Sequence, residues 1–205
     1  MALKKQEKNT LRNLAIFTGS ALIIGSLFGF TSGKVTVGNS EINEDIFSDY
    51  FDQSQVEKSQ VARSNNINNV PNEQQLRNAQ ILAQMVLDPL ARLSGRIPSI
   101  ISWFRSVALN SHPAINGSST SDHLQANAAD IDNGGNNNVE FIRTILQNAI
   151  PFKQLIIYND LSSPDWLHIS YDPTKSENAQ RNQILIKANG EYREIDYNEA
   201  QSIYL

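Results

Sequence analysis

Apolar residues in this chain form one long block near the start and several short periodic segments further along. The block covers residues 14–30 without a charged side chain, and the stretch before it, residues 1–13, is basic. As a helix the block would be about 26 Å long, close to the ~30 Å hydrocarbon core of a bilayer. The pattern predicts a transmembrane helix, with residues 1–13 in the cytoplasm and the remainder of the chain exported. The alternative is the core of a signal peptide that is removed after export.

Residues 31–70 have a different composition, dominated by Ser, Asn, Gln and acidic side chains, with an Asn-rich tract at 65–69. Such a composition is typical of a solvated spacer, and it predicts a polar linker over 31–70. A short helix near 42–51 is the alternative, because Ile42, Ile46 and Tyr50 recur at helical spacing.

Periodic patterns resume after residue 70 and predict a folded domain over 71–205. The clearest element is an amphipathic helix over 76–93, with Asn72 placed to cap its start and Gly95 to end it. The remaining patterns predict a second helix over 138–150, strands over 99–103, 128–131, 153–158 and 166–171, and a hairpin of 184–188 with 191–195. The Asn189-Gly190 dipeptide is a preferred hairpin turn. The predicted fold class is therefore α+β, a small and largely antiparallel sheet flanked by helices.

Composition and charge restrict the chemistry available to this domain. The chain has no cysteine, which excludes disulfides, thiolate nucleophiles and zinc sites that use cysteine. Its net charge is -4, and no basic stripe follows the first twelve residues, so a nucleic-acid partner is excluded. A metal would need His, Asp or Glu ligands, and the three histidines are His112, His123 and His168.

Two of these histidines lie in segments with the composition of a metal site. His123 follows a polar loop and precedes Asp130 on a predicted strand, and His168 lies on another predicted strand. Two imidazoles and one carboxylate, with a fourth position open, are typical of a hydrolytic zinc site. The residues alone also allow the two histidines to be hydrogen-bonded structural groups. Asp132 is the rival carboxylate ligand, and His112 is expected to face solvent or substrate.

Four segments resemble, in order and spacing, the signatures of the peptidase M15 family of zinc D-alanyl-D-alanine carboxypeptidases and peptidoglycan endopeptidases. Residues 121–130 resemble its Ser-x-His-x-x-Gly-x-Ala-x-Asp signature, and residues 165–168 resemble the second, in which Trp precedes the last histidine. Residues 102–110 resemble Ser-Gly-Tyr-Arg-Ser-Pro-x-x-Asn, and residues 152–156 resemble Phe-Asp-Gln-Leu-Ile. The chain departs from these patterns at Trp103, Val107 and Ala126; Ala126 replaces a Gly, so a positive φ there would strain the turn.

The resemblance implies a role for eight residues. It implies Zn2+ bound by His123, Asp130 and His168, with Asp165 as the general base and Arg105 holding the oxyanion or the substrate. The substrate-binding residues that it implies are Ser121, Gln154 and Trp166. A regular strand would direct Asp165 to the face opposite His168, so Pro164 would have to bend the chain there.

The function expected from these observations is a membrane-tethered zinc peptidase that hydrolyses peptidoglycan stem-peptide bonds, as a carboxypeptidase or as an endopeptidase of the endolysin type. Residues 14–30 would lie in a lipid bilayer. The catalytic domain would be extracytoplasmic, on the bacterial periplasmic side or on a phage virion membrane, or secreted if the helix is cleaved. One alternative is a non-catalytic peptidoglycan-binding or structural membrane protein with the same fold. A zinc peptidase that acts on proteins is a further one.

Overall fold

The computed structural model describes residues 33–37 and 40–205, and these belong to one compact unit, Ser32–Leu205. The helix predicted over 14–30 and the basic stretch at 1–13 lie outside the described residues. Within the part of the chain that is described, no helix has the length and apolarity needed to cross a membrane.

Over the part of the chain that the structure describes, eight strands form two sheets. The strands are β1 (Lys34–Val37), β2 (Ser40–Asn43), β3 (Ile100–Ser102), β4 (Ala128–Ile131), β5 (Gln154–Tyr158), β6 (Leu167–Ser170), β7 (Gln183–Ala188) and β8 (Glu191–Ile195). The first two form a separate antiparallel pair, and the others form a six-stranded sheet in the order β3-β4-β6-β5-β7-β8. Within the larger sheet β5 and β7 run parallel, and every other neighbouring pair is antiparallel. The predicted α+β class is confirmed, with a mixed sheet.

In the described residues, six α-helices accompany the sheets. They are α1 (Gln60–Ser64), α2 (Glu73–Leu82), α3 (Asp88–Ser94), α4 (Val107–Asn110), α5 (Gly135–Gln147) and α6 (Tyr197–Tyr204). A π-helical segment, Ala83–Leu87, joins α2 to α3, so the predicted helix over 76–93 is present. The Asn72 side chain accepts a hydrogen bond from the Gln75 N–H, and Gly95 ends α3 with φ 68° and ψ 15°. Both predicted helix boundaries are confirmed.

Alternation along the strands gives the large sheet one apolar face and one open face. Leu155, Ile157, Leu167 and Ile169 belong to the buried core that α2, α3 and α5 also build. The residues between them in sequence point the other way, and they line a cavity. The period of two along a strand therefore places the polar residues of β5 and β6 together on the open face.

The segment expected to be a polar linker is instead part of the folded unit. Ile42, Phe51 and Val56 are buried in the hydrophobic core. The Gln80 and Gln84 carboxamides donate hydrogen bonds to the carbonyls of residues 43, 46 and 47. These three core residues belong to a segment, 31–70, whose average composition is polar. The side chains of Gln80 and Gln84 satisfy hydrogen-bonding groups of its irregular backbone. The short helix considered near 42–51 is replaced by β2 and turns.

Candidate metal centre and active-site cleft

His123 is held in a single orientation by the backbone around it. It lies in a 3-10 turn, Asp122–Gln125, that closes on Ala126 in the left-handed region. Its side chain is buried, and its Nδ1 is 2.5 Å from the Trp103 carbonyl oxygen. Because a carbonyl only accepts, Nδ1 carries the proton and donates it to Trp103. The lone pair of Nε2 is therefore free to bind a metal.

Asp130 and His168 are direct neighbours in the sheet. They are register partners on the antiparallel strands β4 and β6, and both are buried, with 6% of each residue exposed. The His168 Nδ1 lies 2.9 Å from Asp130 Oδ1. His123 Nε2 lies 3.1 Å from each of these two atoms. Three residues from distant parts of the chain thus direct three donor atoms at one point.

This triad fits a zinc ion. The ligands of tetrahedral zinc, at bond lengths of ~2.0–2.2 Å, are roughly 3.3 Å apart, close to the separations of the three donor atoms here. The Nε2 lone pair of His123 and the Asp130 carboxylate are both electron-pair donors, and their convergence in a buried place favours a cation. Three protein ligands leave the fourth position open, as in catalytic zinc sites. Asp130, His123 and His168 are the one such group of potential ligands in the described ranges.

The electrostatics of the site keep His123 and Asp130 in the state that binds metal. Burial lowers the pKa of His123, although the Asp130 carboxylate acts in the opposite direction. Burial by itself would raise the pKa of Asp130, but the attraction and the hydrogen bonds of His123 and His168 hold that pKa well below its usual range. A neutral imidazole and a charged carboxylate are the forms that coordinate zinc.

Arg105 reaches the triad from the segment after β3. Its guanidinium forms an ion pair with the outer oxygen of Asp130, Oδ2, and its Nε donates to Ser102 Oγ at 2.8 Å. This pairing leaves Oδ1 of Asp130 toward the two histidines. Arg105 therefore orients the carboxylate ligand, and it also lines the cavity.

The triad opens into a cavity of about 800 Å³. One wall is the loop from Ala114 to Ser121, and the floor is the open face of the large sheet. Ser121, Gln154 and Trp166, the residues that the family resemblance assigns to substrate, all line this cavity. The structure thus brings seven of the eight expected site residues together, the seventh being Arg105.

Asp165 is the expected site residue that the structure places elsewhere. Its side chain is exposed and accepts a hydrogen bond from the Asn159 carboxamide, and it does not line the cavity. Trp166 and His168 face the cleft, and alternation turns Asp165 away from it. Pro164 does not bend the chain enough to reverse this direction.

The two rival residues also lie apart from the triad. Asp132 accepts hydrogen bonds from the Gly134 N–H and from the Asn138 side chain, at the start of α5. The His112 Nδ1 accepts a hydrogen bond from the Ala114 N–H. Neither side chain belongs to the group of potential metal ligands.

Several cleft residues had no expected role from the sequence, although two of them, Asp122 and Lys153, lie inside the signature segments. Lys153, Lys187 and Tyr192 line the cavity, as do Tyr158 and Asp122. For Lys187 a signal was present, because Ile184 and Ile186 are the apolar positions of β7, and their neighbours in sequence must face the other way. What could not be read was which strand β7 adjoins.

Comparison with protein-family models gives a match. A family model described as Peptidase M15 matches residues 49–170, more than half of the chain. The matched range contains the triad and Arg105, begins inside the segment expected to be a linker, and leaves β7, β8 and α6 outside. No curated protein matches the chain.

Proposed function

Because the chain belongs to the peptidase M15 family, we propose that it is a zinc endopeptidase that cuts the stem peptides of peptidoglycan. The observation that carries the proposal is the convergence of His123, Asp130 and His168 on one point of an open cleft. A non-catalytic binding module has no need of this group. Electron-pair donors that are buried facing one another destabilise the fold unless a metal ion binds them.

A zinc ion held by His123, Asp130 and His168 would act as a Lewis acid, polarising the scissile carbonyl and making a water molecule more acidic. The chain's own residues do the rest. The Trp103 carbonyl keeps His123 in its metal-binding tautomer. Arg105 holds Asp130 with part of its guanidinium, and its remaining N–H groups are available to bind the carbonyl oxygen of the substrate as negative charge develops there.

For the proton acceptor we propose Asp165, on the basis of the resemblance of residues 165–168 to the family's second signature. This role requires the Asp165 side chain to leave Asn159 and turn toward the cleft. Asp122 is the rival, because it is the cavity-lining carboxylate other than Asp130. It pairs with the Lys153 ammonium at 2.5 Å.

The shape of the cleft favours an endopeptidase over a carboxypeptidase. The metal ligands Asp130 and His168 lie on β4 and β6, and cavity-lining residues continue to β3 on one side and over β5, β7 and β8 on the other. At ~4.8 Å between strands, the longer arm extends about 14 Å from β6, the length of about four extended peptide residues. A carboxypeptidase needs room for one residue beyond the bond it cuts. This cleft has room for substrate on both sides.

Digestion of purified sacculi tests the proposal. We expect the full-length protein to release stem-peptide fragments that mass spectrometry identifies, EDTA to abolish the release and Zn2+ to restore it. The variant His168→Ala serves as the inactive control. Products shortened only by a terminal D-alanine would replace the endopeptidase assignment by a carboxypeptidase, and intact sacculi after treatment with zinc-loaded protein would refute the proposal.

We further propose that the catalytic domain acts outside the cytoplasm and is tethered by residues 14–30 in a bilayer. The support is the apolar block at 14–30 and its basic flank, together with the location of peptidoglycan outside the membrane. Fractionation of cells that express the full chain, with protease added to intact spheroplasts, tests this. Recovery of the chain in the soluble cytoplasmic fraction would contradict it.

A further inference from the structure

Four side chains form a continuous row across the cleft floor beside the metal centre. Backbone pairing sets Trp166 next to Tyr158, Tyr158 next to Lys187, and Lys187 next to Tyr192. The rings of Tyr158 and Trp166 are stacked, with centroids 4.2 Å apart. The Lys187 Nζ lies 5.3 Å from the Tyr158 ring centroid and 4.9 Å from that of Tyr192. The ammonium of Lys187 is thus held between two aromatic rings.

Lys187 has no acidic partner among the described residues, in contrast to Arg105 and Lys153, which also line the cavity. Arg105 pairs with Asp130 and Lys153 pairs with Asp122. Among residues 33–37 and 40–205, no carboxylate forms an ion pair with Lys187. Burial raises the pKa of Tyr158, so its phenol stays neutral beside the ammonium. A positive charge is therefore held in the cleft of a chain whose net charge is -4, and it is available to a ligand.

The register gives the distance from Lys187 to the metal centre. His168 pairs with Ile156 and Ile156 pairs with Leu185, so Lys187 lies two strands away from β6 and two residues further along. With ~4.8 Å between strands and ~3.3 Å per residue, the backbones of His168 and Lys187 are roughly 12 Å apart. An extended peptide covers that distance in three to four residues.

We infer that Lys187 is a specificity-determining residue that binds a carboxylate of the substrate three to four residues from the scissile bond, with Tyr158 and Tyr192 positioning its ammonium. The inference rests on the proposed function and narrows the substrate to peptides with an acidic group at that distance. Strands β7 and β8 lie outside the range matched by the family model. The carboxylate site is thus built on a part of the chain that the family match does not cover.

The experiment compares native sacculi with sacculi whose carboxylates have been amidated with carbodiimide and ammonia. The full-length protein is tested with Lys187→Gln, with Lys187→Met, which keeps the alkyl stem, and with Lys187→Arg, which keeps the charge. Lys175→Gln is the matched control, an exposed lysine outside the cleft. Each protein is assayed for cleavage and, in EDTA, for co-sedimentation with each substrate.

We expect the unmodified protein to cleave native sacculi at least about fivefold faster than amidated sacculi at low substrate concentration, and to sediment preferentially with the native material. Lys187→Gln and Lys187→Met should abolish both preferences by raising KM about fivefold, with kcat unchanged. Lys187→Arg should restore most of the preference, and Lys175→Gln should behave as the unmodified chain.

The two kinds of failure give different results. Suppose that native sacculi are cleaved and that the preference for native over amidated sacculi survives in Lys187→Gln and Lys187→Met. This result overturns the inference about Lys187 and leaves the proposed function standing. If no protein cleaves sacculi, the proposed function fails, and sedimentation decides about Lys187. Charge-selective binding that disappears in Lys187→Gln then supports carboxylate recognition, and unchanged binding overturns it.

Discussion

Ala126 has φ 57° and ψ 21°, so a buried alanine adopts a left-handed conformation at the end of the turn that carries His123. Its N–H donates to the His123 carbonyl, and its carbonyl accepts from the Trp103 indole N–H at 3.3 Å. A Cβ in this region costs about 1–2 kcal/mol. The turn therefore stores strain next to the metal ligand.

We expect Ala126→Gly to change the free energy of unfolding by less than about 0.5 kcal/mol. Relief of ~1–2 kcal/mol of left-handed strain offsets the ~0.8 kcal/mol lost with the buried methyl group and the ~0.5–1 kcal/mol entropy cost of glycine. Urea titration measures the change. Ala129→Gly is the matched control, a buried strand position where the same substitution should destabilise the protein by about 1 kcal/mol. Equal destabilisation by both variants would show that Ala126 is not strained.

The three donor atoms of the metal centre should act as a unit. We expect His168→Ala to reduce bound zinc below stoichiometry and to lower activity on sacculi by at least ~100-fold, because an open site with two protein ligands holds zinc weakly. Metal analysis of the purified protein measures the loss. His112→Ala should keep its zinc, since His112 is not part of the triad. Full zinc content in His168→Ala would contradict the assignment.

The role of Asp165 is separable from metal binding. If Asp165 accepts the proton from the attacking water, Asp165→Asn should retain zinc and the fold while kcat on sacculi falls at least ~100-fold. Asp122→Asn, which alters the carboxylate that lines the cavity together with Asp130, should change kcat far less. The reverse ranking of the two kcat values would transfer the role to Asp122.

At the scale of elements, hydrogen bonds of the Gln84 side chain connect the π-helical segment Ala83–Leu87 to the end of β2 and the residues after it. Its Nε2 donates to the carbonyls of Asn43 and Ile46 at 2.8 and 2.9 Å, and its Oε1 accepts from the Asn43 N–H at 2.8 Å. An irregular segment has no ladder of its own, so Gln84, together with Gln80, which donates to the same two carbonyls, satisfies its backbone groups. One side chain thus replaces part of a regular element.

We expect Gln84→Ala to lower the free energy of unfolding by about 1–3 kcal/mol, since it removes the hydrogen bonds of the Asn43 N–H and the Phe47 carbonyl, although Gln80 still donates to the Asn43 and Ile46 carbonyls. Gln74→Ala is the control, because Gln74 is exposed and donates only to the Asn78 side chain; its effect should stay within about 0.5 kcal/mol. Thermal or urea unfolding of both variants measures the difference. A Gln84→Ala protein as stable as the Gln74→Ala protein would show that the segment holds without this side chain.

At the scale of the whole molecule, residues 40–70 support the active site as well as the core. The Val56 carbonyl accepts from the Phe104 N–H at 3.0 Å. The Asn69 carboxamide accepts from the Ser106 N–H at 2.7 Å and donates to the Phe104 carbonyl at 3.1 Å. These contacts enclose Arg105 on both sides along the chain, so the direction of its guanidinium depends on a distant segment.

A chain that begins at residue 71 should therefore fail to fold cooperatively. It lacks the buried Ile42, Phe51 and Val56, each contributing about 1.5–3 kcal/mol of burial, which together approach the whole stability of a typical domain. A chain that begins at residue 33 is the control and should give a single cooperative transition in circular dichroism. Cooperative unfolding and zinc binding by the shorter chain would restore the view that residues 31–70 are a linker.

Local patterns in the sequence were enough for several elements. Patterns that span only a few residues predict the apolar spacing of α2 and α3, the Asn72 cap, Gly95 and the Asn189-Gly190 turn. They suffice because capping and turn geometry are local interactions. The helix predicted over 138–150 is present as Gly135–Gln147, so it begins and ends three residues earlier than predicted. Its end is set by Ala149, whose φ of 49° leaves the helix.

Other elements could not be read locally. Helix α6 was missed, although Asp196 accepts from the Glu199 N–H as an N-cap. The parallel pairing of β5 with β7 depends on which sheet edge the returning chain meets, and no residue of either strand specifies that edge alone. The burial of Ile42 and Phe51 likewise depends on helix α2, which begins only at residue 73.

The sequence by itself determined the identity of the site. The resemblance of four segments to the family's signatures pointed to His123, Asp130, His168 and Arg105 and implied the zinc cofactor, whereas the residues alone also allowed hydrogen-bonded structural histidines. Only the tertiary structure decided how these residues meet. The register of β4 against β6 sets Asp130 beside His168, alternation turns Asp165 away, and the order of β5, β7 and β8 brings Lys187 into the cleft. The physical reason is that a side chain's chemistry belongs to its own residue, whereas its neighbours are set by strand pairings that close long loops and are stabilised only when the whole core is buried.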